Sequence, residues 1–256
     1  MNDTVVPDVE GGTHISVHPS GKWLLAAHFG SSHVSVLAVR SDGGVGGRVD
    51  LQSPGMRAHQ IVSDPTGRYV LVPCRDGNLV AQYRIDPATG KLTPNDPAVV
   101  HASPGVGPRH MDFHPNGRFA YVINEQGGTI TSYRYDKAKG TLSAPEEVST
   151  LPPEHPKNST AHVLVHPSGR FVYGSNRGHD SIAIFTVAKS TGRLSPLGHE
   201  TGGGTIATPR DFGMDPAGRF LLVANQKAPG SVSVFAINPE TGLLSLKGTY
   251  ETGNNP

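Results

Sequence analysis

The chain has 256 residues, 32 of them Gly and 22 Pro, and its 22 Lys plus Arg against 21 Asp plus Glu leave a formal charge of +1. Punctuation that dense interrupts a helix within a few turns, so the composition excludes long helices and favours short strands. The near-zero charge excludes a global field that would recruit nucleic acid or an acidic membrane, and any basic site must be local. At the start of the chain, MNDTVVPDVEGG has neither a basic nor an apolar leader character, and no apolar run downstream approaches the roughly 18 residues of a membrane-spanning helix. One cysteine, Cys74, excludes an internal disulfide framework. The expected location is the cytoplasm, with no membrane and no nucleic-acid partner.

Further along, one turn phrase occurs five times: HPSGK from His18, DPTGR from Asp64, HPNGR from His114, HPSGR from His166 and DPAGR from Asp215. Its prolines, at 19, 65, 115, 167 and 216, are 46, 50, 52 and 49 residues apart. A second turn keeps the same beat, in PATGKL, KAKGTL, KSTGRL and PETGLL, with glycines at 90, 140, 192 and 242. Between the turns, segments such as RFAYVIN (Arg118 to Asn124) and TITSYRY (Thr129 to Tyr135) are strand-like. Four short antiparallel strands in about fifty residues is the period of a propeller blade. The predicted fold is an all-β propeller with five visible blade repeats, in a single domain over residues 1–256.

Repeats also supply an internal control, because a residue that differs between copies at one position is free to serve a site. His18, His114 and His166 alternate with Asp64 and Asp215 at the turn, which predicts a structural capping role. The basic residue ending the phrase (Lys22, Arg68, Arg118, Arg170, Arg219) reads as a solvated surface group. Six and five residues before the proline stand Thr13 and His14, His59 and Gln60, Arg109 and His110, Ala161 and His162, Arg210 and Asp211. Nine and ten residues after it stand His28 and Phe29, Cys74 and Arg75, Asn124 and Glu125, Asn176 and Arg177, Asn225 and Gln226. The hairpin around the turn brings these two sets to one open end. In a propeller the open ends converge on the channel mouth, so His59, Arg109, His110, Glu125, His162, Arg177 and Arg210 are predicted to ring one opening, with His14, His28 and Asp211 close by. Arginines hold carboxylate or phosphate oxygens through forked contacts, and His or Glu moves protons near neutral pH. That chemistry suits a small anionic substrate.

Neither a metal nor a cofactor is expected. The histidines have no local ligand spacing, and the Gly-rich DGGVGGR and TGGGT segments lack the Walker pattern. Cys74 reads as a small strand-end residue, and GSNRG (Gly174 to Gly178) is not a nucleophile elbow.

GPRHMDFHPNGRFAYVINE (Gly107 to Glu125), YGSNRGHDSIAIF (Tyr173 to Phe185) and TPRDFGMDPAGRFLLVANQ (Thr208 to Gln226) resemble the propeller lactonases of the bacterial 6-phosphogluconolactonase type, a family related to carboxymuconate-lactonizing enzymes. The resemblance runs from Gly11 to Thr252. It implies a seven-bladed ring and a metal-independent site that opens, or in the fungal branch forms, the lactone of a small acid. Matched to the family's motifs, His59 is the catalytic histidine and Arg109, Glu125 and Arg177 are its partners; Arg210 and His110 go to substrate binding, and His162 joins them there from the predicted ring. His59 would activate water or protonate the leaving oxygen, the arginines would steady the substrate anion and oxyanion, and Glu125 would orient one of them. The expected activity is hydrolysis of a sugar-acid lactone, foremost 6-phosphogluconolactone in the pentose phosphate pathway. A muconate-type cycloisomerase on the same site and a non-catalytic YVTN-like binding propeller are the alternatives. Five repeats are about two fewer than the family's seven; residues Thr4 to Glu10 would then be the outer strand of a further blade.

Overall fold

A computed structural model describes residues 8–155, 158–254 and 256. Five four-stranded antiparallel sheets account for nearly all of its regular structure. The first holds β1 (Gly12–Val17), β2 (Trp23–His28), β3 (His33–Val39) and β4 (Val45–Gln52). The second holds β5 (Val62–Ser63), β6 (Tyr69–Cys74), β7 (Leu79–Ile85) and β8 (Leu92–His101). β9 (Pro108–Phe113), β10 (Phe119–Asn124), β11 (Thr129–Asp136) and β12 (Thr141–Ser149) form the third. β13 (Ser159–Val165), β14 (Phe171–Arg177), β15 (Ser181–Val187) and β16 (Leu194–Glu200) form the fourth, and β17 (Pro209–Met214), β18 (Phe220–Asn225), β19 (Ser231–Ile237) and β20 (Leu244–Glu251) the fifth. Strand order in every sheet follows the chain, the up-and-down blade of a β-propeller. Of the proposed outer strand at Thr4 to Glu10, residues 4–7 lie outside the described residues, and Asp8 to Glu10 are not in a strand.

The chain divides into two compact units, residues 1–109 with 135–143, and residues 110–134 with 144–256. Each has its own apolar core. In the first, Trp23, Leu25, Val34 and Val36 pack with Ile61, Val70, Val72 and Tyr83. In the second, Phe119, Tyr121 and Ile123 pack with Val163, Val172 and Phe185, and Tyr173, Ile182 and Ile184 pack with Phe212, Leu221 and Phe235. Burial explains the sequence pattern. β6 and β10 are buried on both faces and read as continuous apolar runs, whereas most residues of the outer strands β8 and β12 are exposed.

Both repeated turns join neighbouring blades. The glycine of each turn phrase has φ between +67° and +70°, a left-handed backbone that a side chain resists. The turn histidine does more than cap. His114 Nδ1 accepts the N–H of Asn116, which places its proton on Nε2, and Nε2 donates to the Gly169 carbonyl of the next blade at 2.9 Å. His166 repeats this on Gly218, and in the first unit His18 repeats it on Gly67. The aromatic residue that opens the second strand covers the second turn's glycine in the following blade: Trp23 over Gly90 and Tyr69 over Gly140 in the first unit, Phe119 over Gly192 and Phe171 over Gly242 in the second. The basic residues expected to be merely solvated take part as well. Arg68, Arg118 and Arg170 stack on those rings and donate to the carbonyls of Lys137, Lys189 and Glu240 in the same turns.

Candidate active site

The open end of each blade hairpin pairs the start of its first strand with the finish of its second. Gly12 faces His28, Thr160 faces Asn176 and Pro209 faces Asn225. In these three blades the ladder slips just beyond, between Gly12 and His14, between Thr160 and Val163, and between Pro209 and Asp211. The slips fall at the positions predicted to carry chemistry, and a bulge re-aims side chains there. The second blade departs from the pattern: its first strand is only Val62–Ser63, and Ala58 meets Cys74 through an isolated bridge. His59 and Gln60 therefore lie outside any strand, just before β5.

Five of the predicted residues, His110, Glu125, His162, Arg177 and Arg210, lie in the second unit. Glu125 at the end of β10 and Arg177 at the end of β14 form an ion pair, Oε1 to Nη2 at 3.4 Å, with side chains 14% and 13% exposed. Arg177 is aimed by its own hairpin. Its Nε donates to the Ser159 carbonyl at 3.1 Å, and its Nη2 to Ser159 Oγ and the Thr160 carbonyl at 2.8 and 2.7 Å. Thr160 ties the two blades together, donating from its backbone N–H to the Glu125 carbonyl and from its hydroxyl to that of Asn124. Behind them a row of buried asparagines pins the adjoining turns. Asn124 donates to Thr129 and Thr131, Asn176 to Ser181 and the Thr150 carbonyl, Asn225 to Ser231 and Ser233.

His110 and His162 meet Nδ1 to Nδ1 at 2.7 Å, with their rings edge to face. His162 Nε2 lies 3.5 Å from Asp211 Oδ1, and its ring also rests on Phe212. Arg210 is exposed on β17 and reaches Gln226 at 3.4 Å. Asp112 had no place in the sequence reading. Its carboxylate accepts the backbone N–H groups of Val165 and Phe113, each at 2.8 Å, and burial pushes its pKa up to about 6. The repeat position held a signal for it, because the copies read Ser16, Val62, Asp112, Leu164 and Gly213.

In the first unit His59 and Arg109 are both buried. The His59 N–H donates to the Pro73 carbonyl, and its ring meets the edge of Phe29, over which Arg57 and Arg75 also stack. His14 and His28 line a half-open cleft with Ile15, Leu24 and Ala26. Burial and the charges of His33 and Arg48 lower the pKa of His28. Cys74 is buried, and desolvation raises its thiol to about 12, so it is no nucleophile. Among the described residues no group of three or more His, Cys, Asp or Glu is placed to hold a metal ion, and no helix is long and apolar enough to cross a membrane.

A protein-family model described as "Lactonase, 7-bladed beta-propeller" matches residues 2–256. The chain is a lactonase-family propeller. Among named family relatives, the 6-phosphogluconolactonase of Serratia proteamaculans is 32% identical over 95% of this chain and 72% of its own length. That of Yersinia pseudotuberculosis is 31% identical with the same coverage. Among solved structures, the periplasmic gluconolactonase of Pseudomonas aeruginosa matches with a TM-score of 0.86 and 30% identity over 96% of this chain and 72% of that one. A putative 6-phosphogluconolactonase from Bacteroides fragilis matches with 0.84 and 26% over 94% and 70%. Five blades against the seven of the family description stand in the same proportion as that coverage.

Proposed function

We propose that this lactonase-family chain hydrolyses 6-phosphogluconolactone to 6-phosphogluconate, the lactone-opening step of the pentose phosphate pathway, in the cytoplasm. The relatives' names support the reaction class. The observation in this chain that carries the reading is the half-buried Glu125–Arg177 pair, which fixes a guanidinium against four oxygen partners. An arginine so held is preorganised for an anion and costs no reorganisation when charge develops on a carbonyl oxygen.

Four residues are assigned to the reaction. Arg177 and Arg109 steady the substrate anion and the oxyanion, Glu125 orients Arg177, and His59 gives a proton to the departing ring oxygen. His110, His162 and Arg210 are assigned to the substrate's polar groups. Water adds to the lactone carbonyl, the acyl carbon to ring oxygen bond breaks, and a hydroxy acid is released. Neither a metal nor a cofactor enters these steps.

The test is hydrolysis of 6-phosphogluconolactone and of unphosphorylated gluconolactone, each corrected for spontaneous opening. Preference for the phosphorylated lactone by kcat/KM is expected. No rate above background from folded protein on either substrate refutes the assignment, and equal rates on both refute a phosphate-specific site.

A further inference from the structure

A joint between two blades of one unit has two halves, and the repeat shows what each half holds. The later blade offers the residue four before its turn proline and the residue five after it: Ile61 and Val70 in the first unit, Val163 and Val172, or Phe212 and Leu221, in the second. All of these are 4% exposed or less. The earlier blade offers the aromatic that opens its second strand and the residue two beyond it, Trp23 with Leu25, Phe119 with Tyr121 or Phe171 with Tyr173, all 8% exposed or less. Among the described residues one half of each kind stands uncovered. In the first unit Ile15 and Leu24 hold the later-blade positions; Ile15 is 68% exposed and Leu24 half-buried, on the cleft they share with Ala26. A Cβ added at Gly43, in the turn between β3 and β4, would meet no described residue within 4 Å, whereas at Gly90, Gly192 or Gly242 it would meet the preceding blade's ring. In the second unit Phe220 and Leu222 hold the earlier-blade positions and are 37% and 42% exposed. Arg219 stacks on Phe220 as its counterparts do on their rings, but it turns back to Asp215 of its own turn.

We propose that these two faces are the halves of one further joint, and that the fifth blade of one copy of the chain docks head to tail on the first blade of a second copy. Phe220 covers the Gly43 turn of the second copy, and Leu222 packs on its Ile15 and Leu24, as the equivalent residues do in the internal joints. The occupant is a second copy because what each face lacks stands on the other face of the same sequence. Exposed apolar side chains drive the contact, and the repeat gives it its register. The contact is weaker than an internal joint. His18, His114 and His166 each donate to a glycine carbonyl of the next blade, whereas the fifth blade's turn residue, Asp215, has no proton to give the Gly21 carbonyl. Association is therefore reversible. It is also heterologous, so each added copy leaves one face of each kind open, and growth passes the dimer unless the ends meet.

The experiment is sedimentation velocity of the full chain from about 1 to about 100 μM, the span over which micromolar association shows. Wild type is expected to pass from monomer to dimer and larger species as concentration rises. Ile15→Asp spoils one face and Leu222→Asp the other, and each variant is checked for folding by circular dichroism. Burying the new carboxylate without a partner is expected to weaken self-association about a hundredfold or more in either variant. An equimolar mixture of the two variants is expected to form a heterodimer that grows no further, since together they keep one intact face of each kind. Wild type that stays monomeric at the highest concentration overturns the proposal and leaves the faces to another occupant. Association that survives in either folded variant overturns it as well, and so does a mixture that stays monomeric, the result expected if like faces pair. Hydrogen exchange of wild type at the two extremes of concentration needs no variant. Protection is expected to rise with concentration at β1, β2 and β18, and a rise confined to other strands overturns the joint.

Discussion

Asp112 should make stability depend on pH in the opposite sense to a salt-bridged carboxylate. Its pKa is raised from the usual 3.8 to about 6, chiefly by burial, although two backbone N–H groups pull it down. The native state therefore holds the proton more tightly than the unfolded chain, and this group's contribution is full below about pH 3.8 and lost as pH rises through about 6. A rise of about 2 units at 1.36 kcal/mol each corresponds to about 3 kcal/mol, of which about 2 kcal/mol falls between about pH 4.5 and 7.5. The measurement is equilibrium urea unfolding of wild type and Asp112→Asn at those two pH values. Asparagine keeps an acceptor oxygen and cannot titrate, and whatever its amide costs is independent of pH. The stability of wild type relative to the variant should fall by about 2 kcal/mol between the acid and the neutral measurement. A difference constant to within about 0.5 kcal/mol would show that the native carboxyl titrates normally and that the desolvation argument is wrong.

Arg177→Lys keeps the charge but cannot reproduce the fork onto Ser159 and Thr160, so kcat/KM for lactone opening should drop at least about tenfold; an unchanged value removes Arg177 from the site. Burial lowers the pKa of His114, so its contribution to stability is full above the ordinary 6.5 and lost as pH falls below it. His114→Gln should accordingly show a flatter decline in Tm on acidification than wild type, and parallel declines would contradict this. At Gly192, φ is +77° and an added Cβ would lie 2.5 Å from the Phe119 ring. Gly192→Ala should cost about 2–4 kcal/mol in urea unfolding, from left-handed strain plus overpacking, and a loss under about 0.5 kcal/mol would mean the ring yields freely.

The fold was legible because its unit recurs. Five turn phrases and four second turns located the blades before any strand was considered, and the bounds of β10 and β11 fall within a residue or so of RFAYVIN and TITSYRY. The same recurrence exposed the Glu125–Arg177 pair, since both stand ten residues after a turn proline in adjacent blades. What stayed hidden depends on burial and direction. Nothing in the composition of Asp112 separates a buried carboxyl from a solvated one. The spacing of His110 and His162 gives their shared position and omits that their Nδ1 atoms face each other. Arg68, Arg118 and Arg170 look like surface charges until the neighbouring turn's carbonyls are placed beside them.

The ring that covers each second-turn glycine is also a matter of timing. Trp23 precedes Gly90 by 67 residues, Tyr69 precedes Gly140 by 71, Phe119 precedes Gly192 by 73 and Phe171 precedes Gly242 by 71. At about 5–20 residues per second, a ribosome makes each lid roughly 3–15 s before the turn it will close on. Each of the first four blades thus emerges carrying the receptor for its successor, and each of the last four depends on its predecessor for its own closure. The joint is vectorial, so damage to one aromatic should loosen the blade made next and spare the blade made before.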